Sequence, residues 1–210
     1  MLIRIATVAA TGIFALTATG VTAETTLSYG SYLEYDYDYE DSDEEIIVGS
    51  YLEVEANSGI FAGLELYTVE DDPDDYAYDF SVGFRGDAGT ASYEIAYYNY
   101  NLNESGSDGE EIAASIGYAA LGMDLTSSLT SDLEGAYAIG QDFDVPLPSD
   151  YTFGFGFEAA TDSDELDWDV SLAKQLTDTV SLSGGFSGDT GSENPETFFA
   201  VSFDTSTILN

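Results

Sequence analysis

The sequence predicts an all-β protein, a transmembrane antiparallel up-and-down β-barrel of about 12 strands. Three observations predict this fold. About twelve segments alternate apolar residues with small or acidic ones at a period of two, which is typical of strands whose faces meet different environments. Their connections alternate between short turns and longer acidic loops, as in outer-membrane barrels. The first residues have the pattern of a secretory signal peptide.

The predicted signal peptide covers residues 1–23. It has a single Arg4, then an apolar stretch, then the small residues Val21–Ala23 before the expected cleavage point. The apolar run is interrupted by Thr and Gly and is shorter than the about 20 residues that a membrane-spanning helix needs. We therefore expect export from the cytoplasm, with residues 24–210 forming one barrel domain in the bacterial outer membrane.

Twelve candidate strands follow one another, each with one apolar face. They cover 25–35, 44–56, 59–69, 76–85, 90–100, 110–118, 120–127, 132–141, 151–160, 165–174, 179–186 and 197–203. The alternation is clearest in seven of them, whose apolar faces in order are Ile46/Val48/Leu52/Val54, Ile60/Ala62/Leu64/Leu66, Tyr76/Tyr78/Phe80/Val82/Phe84, Tyr151/Phe153/Phe155/Phe157, Leu166/Trp168/Val170/Leu172, Val180/Leu182/Phe186 and Phe199/Val201/Phe203. The alternation of turns and loops breaks across 127–150, where a short connection at 127–132 and a long one at 141–150 leave the strand number open.

The apolar faces are predicted to point outward, toward lipid. The opposite faces carry Gly, Ser, Ala and acids, which suit a narrow aqueous lumen. In 151–160, for example, Phe153, Phe155 and Phe157 would contact acyl chains while Gly154 and Gly156 line the interior. A secreted, soluble β-sandwich would show the same alternation with its apolar faces turned inward, so it remains an alternative.

The charge balance excludes several classes of function. The chain has 41 acidic residues, three basic ones and a formal net charge of −38. Nucleic acids and anionic headgroups reward Lys and Arg, so neither is an expected partner. The chain has no histidine and no cysteine, which removes the usual catalytic dyads and thiolate sites. We expect no enzymatic activity and no cofactor; the partners are outer-membrane lipid and small ions or solutes.

The candidate site is the set of charged residues on the predicted lumenal faces. These are Glu53, Glu55, Glu65, Asp79, Arg85, Glu94, Asp124, Glu134, Glu158, Asp167 and Asp169. Acidic rings favour cations in pores, which predicts a passive diffusion channel with cation preference. Arg85 is the single base among these acids and is expected to pair with Asp79 or Glu94. A non-conducting barrel with a structural or surface-interaction role remains the alternative.

The acidic loops suggest weak calcium binding. Asp41, Asp43, Asp71 and Asp72 offer the oxygen ligands that a hard cation prefers, but neither loop has the spacing of an EF-hand. A solvated loop explains the same residues.

Three segments carry a family resemblance. They read GSYLEVEANSGIFAGLELYTVE, DFSVGFRGDAGTASYEIAYYNYN and SIGYAALGMDL, and they fall within residues 44–130. Their turns and aromatic positions resemble the TorF (Gcw_chp) family of small porins of the proteobacterial outer membrane. The chain departs from the family pattern at its first strand, where YLEYDYDYE stands. The resemblance implies an outer-membrane barrel and a channel, and it implies the location more firmly than the solute.

Overall fold

All regular structure in the described part of the chain is β-strand. The computed structural model describes residues 24–39, 43–71, 73–191 and 195–209, so the predicted signal peptide lies outside the described residues. Within the described part, no helix is long and apolar enough to cross a bilayer. The twelve strands are β1 (Thr25–Asp38), β2 (Asp43–Ala56), β3 (Ile60–Asp71), β4 (Asp74–Ala88), β5 (Ala91–Leu102), β6 (Gly106–Ala120), β7 (Met123–Ser131), β8 (Tyr137–Leu147), β9 (Tyr151–Ala160), β10 (Leu166–Thr177), β11 (Val180–Asp189) and β12 (Glu196–Leu209).

The strands form one closed antiparallel barrel in chain order. Each strand pairs with its two sequence neighbours, and β1 closes the barrel by pairing with β12 from Thr25↔Leu209 to Asp38↔Glu196. Closure leaves no strand edge unpaired, which is what a lipid environment requires of a β-structure. The predicted fold is confirmed, and the alternative of a soluble two-sheet sandwich is wrong.

The apolar faces point outward, as predicted. Large hydrophobic residues are exposed around the whole barrel, for example Phe80 at 49 %, Ile139 at 64 % and Phe199 at 59 %. The buried hydrophobic residues are, by contrast, Phe61 and four alanines: Ala77, Ala96, Ala138 and Ala200. A barrel with its large apolar side chains outside and small or polar ones inside is arranged for lipid around it and water within it.

The prediction for 127–150 is wrong in its strand bounds. Residues 127–131 belong to β7, a loop covers 132–136, and most of the segment that was expected to be a long connection is β8. The reason lies in β8 itself, where Asp142 and Asp144 occupy inward positions and Phe143 and Val145 occupy outward ones. The lumenal acids make this strand look like a polar loop. With the corrected bounds, 132–136 connects β7 to β8 at the end of the barrel that carries the longer loops, and 148–150 connects β8 to β9 at the opposite end.

The turn between β2 and β3 fixes the backbone beside Arg85. Gly59 has a φ of +84°, which favours glycine. Its N–H donates to the carbonyl of Ala56 (2.8 Å), and its own carbonyl accepts from the N–H of Arg85 (2.9 Å). A Cβ at Gly59 would overlap the carbonyl oxygen of Arg85. This turn therefore connects the β2–β3 hairpin to β4 by a backbone hydrogen bond, at the end of the barrel that carries the short turns.

We expect Gly59→Ala to destabilise the barrel far more than a matched substitution at another turn. Gly89 also has a positive φ (+73°), but a Cβ there meets nothing within 4 Å. Gly89→Ala then costs about 1 kcal/mol for the left-handed backbone alone, whereas Gly59→Ala adds an overlap that must displace β4. The measurement is the urea midpoint of the barrel in detergent, followed by Trp168 fluorescence. Equal midpoints for the two variants would contradict this account.

The loop end of the barrel is held together by acidic side chains that accept backbone hydrogen bonds. Asp74, 4 % exposed, accepts from the N–H groups of Glu104 (2.5 Å) and Ser105 (3.0 Å) and from the Ser105 hydroxyl. In return, the Asn103 side chain accepts from the N–H groups of Asp75 and Tyr76. These bonds connect the start of β4 to the β5–β6 loop, so at least one acid of the acidic segment 70–75 has a structural role.

The β7–β8 loop depends on Asp132. Its Oδ1 accepts from the N–H groups of Gly135 (2.9 Å), Glu134 (2.8 Å) and Ala136 (2.9 Å). These bonds stabilise the charged form and lower the pKa of the Asp132 carboxyl below its usual range.

Because the folded pKa of Asp132 is depressed, its stabilisation of the loop is present above the unfolded pKa, about 3.9. It is lost as the pH falls through the folded value. We expect the amide NMR shifts of Gly135 and Ala136 to titrate together below pH 4 in the native barrel. The Asp132→Asn variant keeps an acceptor but has no charge, so these shifts should stay constant. A titration that persists in that variant would show that another group is responsible.

Candidate functional site: the barrel lumen

The lumen has two chemically different walls. One, the tyrosine wall, lies on β1–β5 and presents Tyr32, Tyr51, Tyr67, Tyr98 and Tyr100 inward. The other, the acidic wall, lies on β7–β10 and presents Asp124, Asp142, Asp144, Glu158, Asp167 and Asp169 between glycines and serines. The alternation of each strand places these residues inside, because cross-strand partners point to the same side of a sheet.

Arg85 is the centre of an ion-pair cluster at the turn end of the tyrosine wall. Its two terminal nitrogens bind Glu53 in a bidentate pair at 2.8 and 3.0 Å. Its Nε lies 3.0 Å from Glu94, and Nη1 lies 3.5 Å from Glu55. The expected pairing with Glu94 is confirmed and that with Asp79 is wrong, since Asp79 is further along β4 toward the loop end. We call Arg85, Glu53, Glu55, Glu94 and Phe61 the Arg85 cluster.

The Arg85 cluster holds its guanidinium by two different interactions. The guanidinium carbon lies 3.9 Å from the centroid of the Phe61 ring, a cation–π contact, and Phe61 is only 2 % exposed. The planar fork of Arg matches a carboxylate bidentately, as Glu53 does here. Three carboxylates surround one guanidinium, so the cluster remains net negative. Carboxylates and an aromatic ring of the lumen thus hold a guanidinium group, that of Arg85.

Two hydroxyl groups of the tyrosine wall are held by carboxylates. Tyr32 donates to Glu65 (2.9 Å) and Tyr51 donates to Asp204 (2.9 Å). The rings of Tyr98 and Tyr100 are nearly parallel, with an interplanar angle of 4° and centroids 6.2 Å apart. Because their hydroxyls are anchored, Tyr32 and Tyr51 are held in place as part of the inner surface.

The acidic wall places its carboxylates above glycines. A Cβ on Gly156 would overlap Asp169 Oδ1 and come within 2.7 Å of Asp142 Oδ1, so both carboxylates lie over this glycine. A Cβ on Gly154 would come within 3.3 Å of Asp144 Oδ1. Glycine at these positions leaves room for the acidic side chains of the neighbouring strands.

No described basic residue faces the acidic wall. The two basic residues in the described part are Arg85, in its cluster, and Lys174, which points outward near the turn end. Lys174 Nζ lies 4.0 Å from the centroid of the Tyr151 ring and donates to the carbonyl of Ser149 (3.1 Å). Within the described residues, the protein therefore supplies no positive charge to the acidic wall.

Ten of the eleven predicted lumenal residues lie on inward faces of strands. These are Glu53, Glu55, Glu65, Asp79, Arg85, Glu94, Asp124, Glu158, Asp167 and Asp169. Glu134 was predicted incorrectly, because it lies exposed in the β7–β8 loop, where its N–H donates to Asp132. The sequence prediction also missed inward acids, chiefly Asp142 and Asp144. Their signal was the alternation in QDFDVPL, which identifies a strand once it is read in register with β9.

The calcium prediction stays untested. Asp41 and Asp72 lie outside the described residues, and for Asp43 and Asp71 only the backbone positions are described. Within the described residues, no group of three or more metal-ligating side chains is placed to hold a metal ion.

Comparison with solved structures identifies the architecture. No protein-family model matches the chain, so the TorF resemblance is not confirmed, and no characterised protein matches it in sequence. The barrel is similar to the KdgM porin, with a TM-score of 0.62 and 10 % identity over 87 % of this chain and 99 % of that one. It is also similar to the NanC porin, with a TM-score of 0.58 and 10 % identity over 87 % and 100 % of the two chains.

The fold is porin-like. A closed antiparallel barrel with an apolar outer surface and a polar interior is suited only to a lipid bilayer, and bacteria use such barrels in the outer membrane. The architecture therefore places the chain in the bacterial outer membrane. A further solved structure similar to this barrel is the KdgM porin in complex with disordered oligogalacturonate, with a TM-score of 0.60 and 10 % identity over 87 % of this chain and 99 % of that one.

Proposed function

We propose that the chain is a passive diffusion channel for small solutes, with a preference for cations. The observation that carries this proposal is the charge of the lumen, where one acidic wall has no basic partner among the described residues and the Arg85 cluster is net negative. Carboxylates lining a pore lower the energy of a cation inside it and raise that of an anion. The TorF resemblance supports a channel as well. The function is transport, and it needs neither a nucleophile nor a cofactor.

The likeness to the KdgM porin supports a channel but not its solute. Galacturonate units carry carboxylates, and the lumen proposed here would repel them. We therefore propose that anionic oligosaccharides are excluded from this barrel, and that the solutes are cations or small neutral molecules. A barrel of twelve strands is wider than the side-chain-filled eight-stranded case and narrower than a 16-stranded porin, which suits small solutes.

A non-conducting barrel is the second candidate, and one observation favours it. Five tyrosine side chains and the Arg85 cluster project into the interior from one wall, and they reduce the open cross-section. Such a barrel would act through its loops or as a structural element of the membrane.

The experiment that separates the two candidates is planar-bilayer recording of the refolded barrel under a KCl gradient. We expect discrete conductance steps and a reversal potential on the cation side. A barrel that migrates as a folded, heat-modifiable species on a gel but gives no steps would refute the channel and leave the structural role. Steps with an anion-side reversal potential would refute the cation preference alone.

A further inference from the structure

The wall of the barrel opens between β2 and β3, at the end that carries the longer loops. Each strand of the closed barrel is paired with both of its neighbours, but the pairing of β2 with β3 extends toward this end only as far as Gly49↔Tyr67. On its other side, β2 remains paired with β1 as far as Asp43. β3 likewise remains paired with β4, with one register shift, as far as Asp71. The two strands therefore separate in the loop-end half of the wall, and each follows its other neighbour.

Thr68 stabilises the point at which the strands separate. The N–H of Val48 donates to Thr68 Oγ1 (2.9 Å), and the same hydroxyl donates to the carbonyl of Ile46 (3.3 Å). In a continuous antiparallel ladder, these two backbone groups of β2 would bond to the backbone of β3. Backbone groups that face lipid need partners within the protein, and one side chain here serves both. The separation is therefore a stabilised feature of the wall rather than a fraying strand end.

A cavity of about 420 Å³ lies where the strands separate. Val48, Leu66 and Tyr76 line it and are each 45–50 % exposed, so the cavity opens on the outer, lipid-facing side of the wall. Ser31 and Ser50 also line it and stand directly opposite each other on β1 and β2, where their small side chains leave depth that a larger residue would fill. We call the seam cavity the space lined by these outward residues, which are Ser31, Val48, Ser50, Leu66, Thr68 and Tyr76.

We propose that the seam cavity binds one acyl chain of a membrane lipid, from the leaflet at the loop end of the barrel. This inference goes beyond the proposed channel and does not depend on conduction. The outward faces on both sides of the seam are in contact with acyl chains, so a chain is the molecule that reaches the cavity. An acyl chain is narrow and flexible enough to enter it. A second copy of the barrel presents a convex outer face, which would bridge the cavity without filling it.

The seam cavity holds the chain by packing. Lipid tails are as apolar as the lining, so no transfer of apolar surface from water favours the site. An empty recess, however, forfeits the dispersion contacts of the side chains around it. A chain between β2 and β3 also contacts more protein than a chain on the convex surface. We therefore expect this lipid to remain bound under detergent exchange that removes the surrounding lipids.

The test is native mass spectrometry of the barrel after reconstitution in dioleoylphosphatidylcholine vesicles and repeated exchange into detergent. We expect a one-to-one adduct of the barrel with this lipid. Ser50→Trp, and independently Ser31→Phe, should reduce the adduct about fivefold, because the added ring occupies the recess. Ala62→Trp is the matched control. It places the same ring on the outward face of β3 opposite Val54, where β2 and β3 are paired, and should leave the adduct at its native level.

Three results would overturn the seam site. The first is a native barrel without retained lipid, which needs no variant to be decisive. The second is an adduct that changes equally in the Ser50→Trp and Ala62→Trp barrels, once heat-modifiable gel mobility has shown that both are folded. The third is a native dimer that Ser50→Trp dissociates, which would show that a second copy covers the seam. A barrel that conducts without retaining lipid refutes the seam site alone, and one that retains lipid without conducting refutes the channel alone.

Discussion

Arg85→Met is expected to raise the single-channel conductance for K⁺, to increase the preference for cations and to destabilise the barrel. Methionine keeps a side chain of similar reach but removes the guanidinium from Glu53, Glu55 and Glu94. The lumen then presents three carboxylates with no guanidinium among them, so the cluster becomes more negative. Because these groups are only 20–32 % exposed, their unpaired charges cost about 2–3 kcal/mol of barrel stability.

Two variants control this prediction. Arg85→Lys keeps the charge but loses the bidentate fork and the stacking on Phe61, so its selectivity should remain native while its stability falls part of the way. Combining Arg85→Met with Glu53→Gln removes the partner that is bound most closely and should restore part of the lost stability. Urea midpoints and bilayer currents are measured on the same preparations. Native conductance in the Arg85→Met barrel would mean that the cluster does not face the conducting path.

The barrel itself could be predicted because the same alternation of apolar residues with small or polar ones repeats from strand to strand. Alternation at a period of two assigns one face to lipid and one to the lumen, and a glycine or carboxylate inside is as informative as a phenylalanine outside. The segment Tyr151–Ala160 illustrates this, since its rings are outward and its glycines inward as the pattern indicates. Strand number follows from counting such segments.

The prediction failed in β8, where the lumenal acids give the strand a composition that resembles a loop. In β8, Asp142 and Asp144 stand close to Pro146, and this composition is typical of connections. Only the pairing of β8 with β9, in which Phe143 lies opposite Phe155, shows that the acids are on an inward face. Once β8 was placed too early in the chain, Glu134 was assigned to a strand that it does not belong to.

The partners of Arg85 could be predicted only in part. The lumenal face of β4 was evident from the alternation, and Glu94 on β5 is the direct cross-strand partner of Arg85. Glu53 belongs to β2, two strands away, and its approach depends on the tight turn at Gly59 and on the length of the arginine side chain. No periodicity in the sequence encodes a contact between non-adjacent strands.

Reversing the charge of the acidic wall is expected to abolish or invert the cation preference. Asp142 and Asp169 both lie over Gly156, so their carboxylates share one region of the lumen. Replacing both with Lys changes the local charge by about four units where the protein supplies no compensating base. A tenfold KCl gradient gives a reversal potential of at most about 59 mV for an ideally selective pore. We expect this potential to fall to zero or to change sign in the double variant, with the double Asn variant between the two.

A charge reversal placed outside the lumen, half as large, is the control. Glu134→Lys alters the exposed β7–β8 loop and should leave the reversal potential near its native value. Varying the KCl concentration separates an electrostatic effect from a change in pore shape. The Debye length falls from about 10 Å at 0.1 M to about 3 Å at 1 M. The difference between native and reversed barrels should therefore be large in dilute KCl and small in concentrated KCl. A difference that persists at high salt would indicate a change in pore shape rather than in its field, since only the electrostatic contribution is screened.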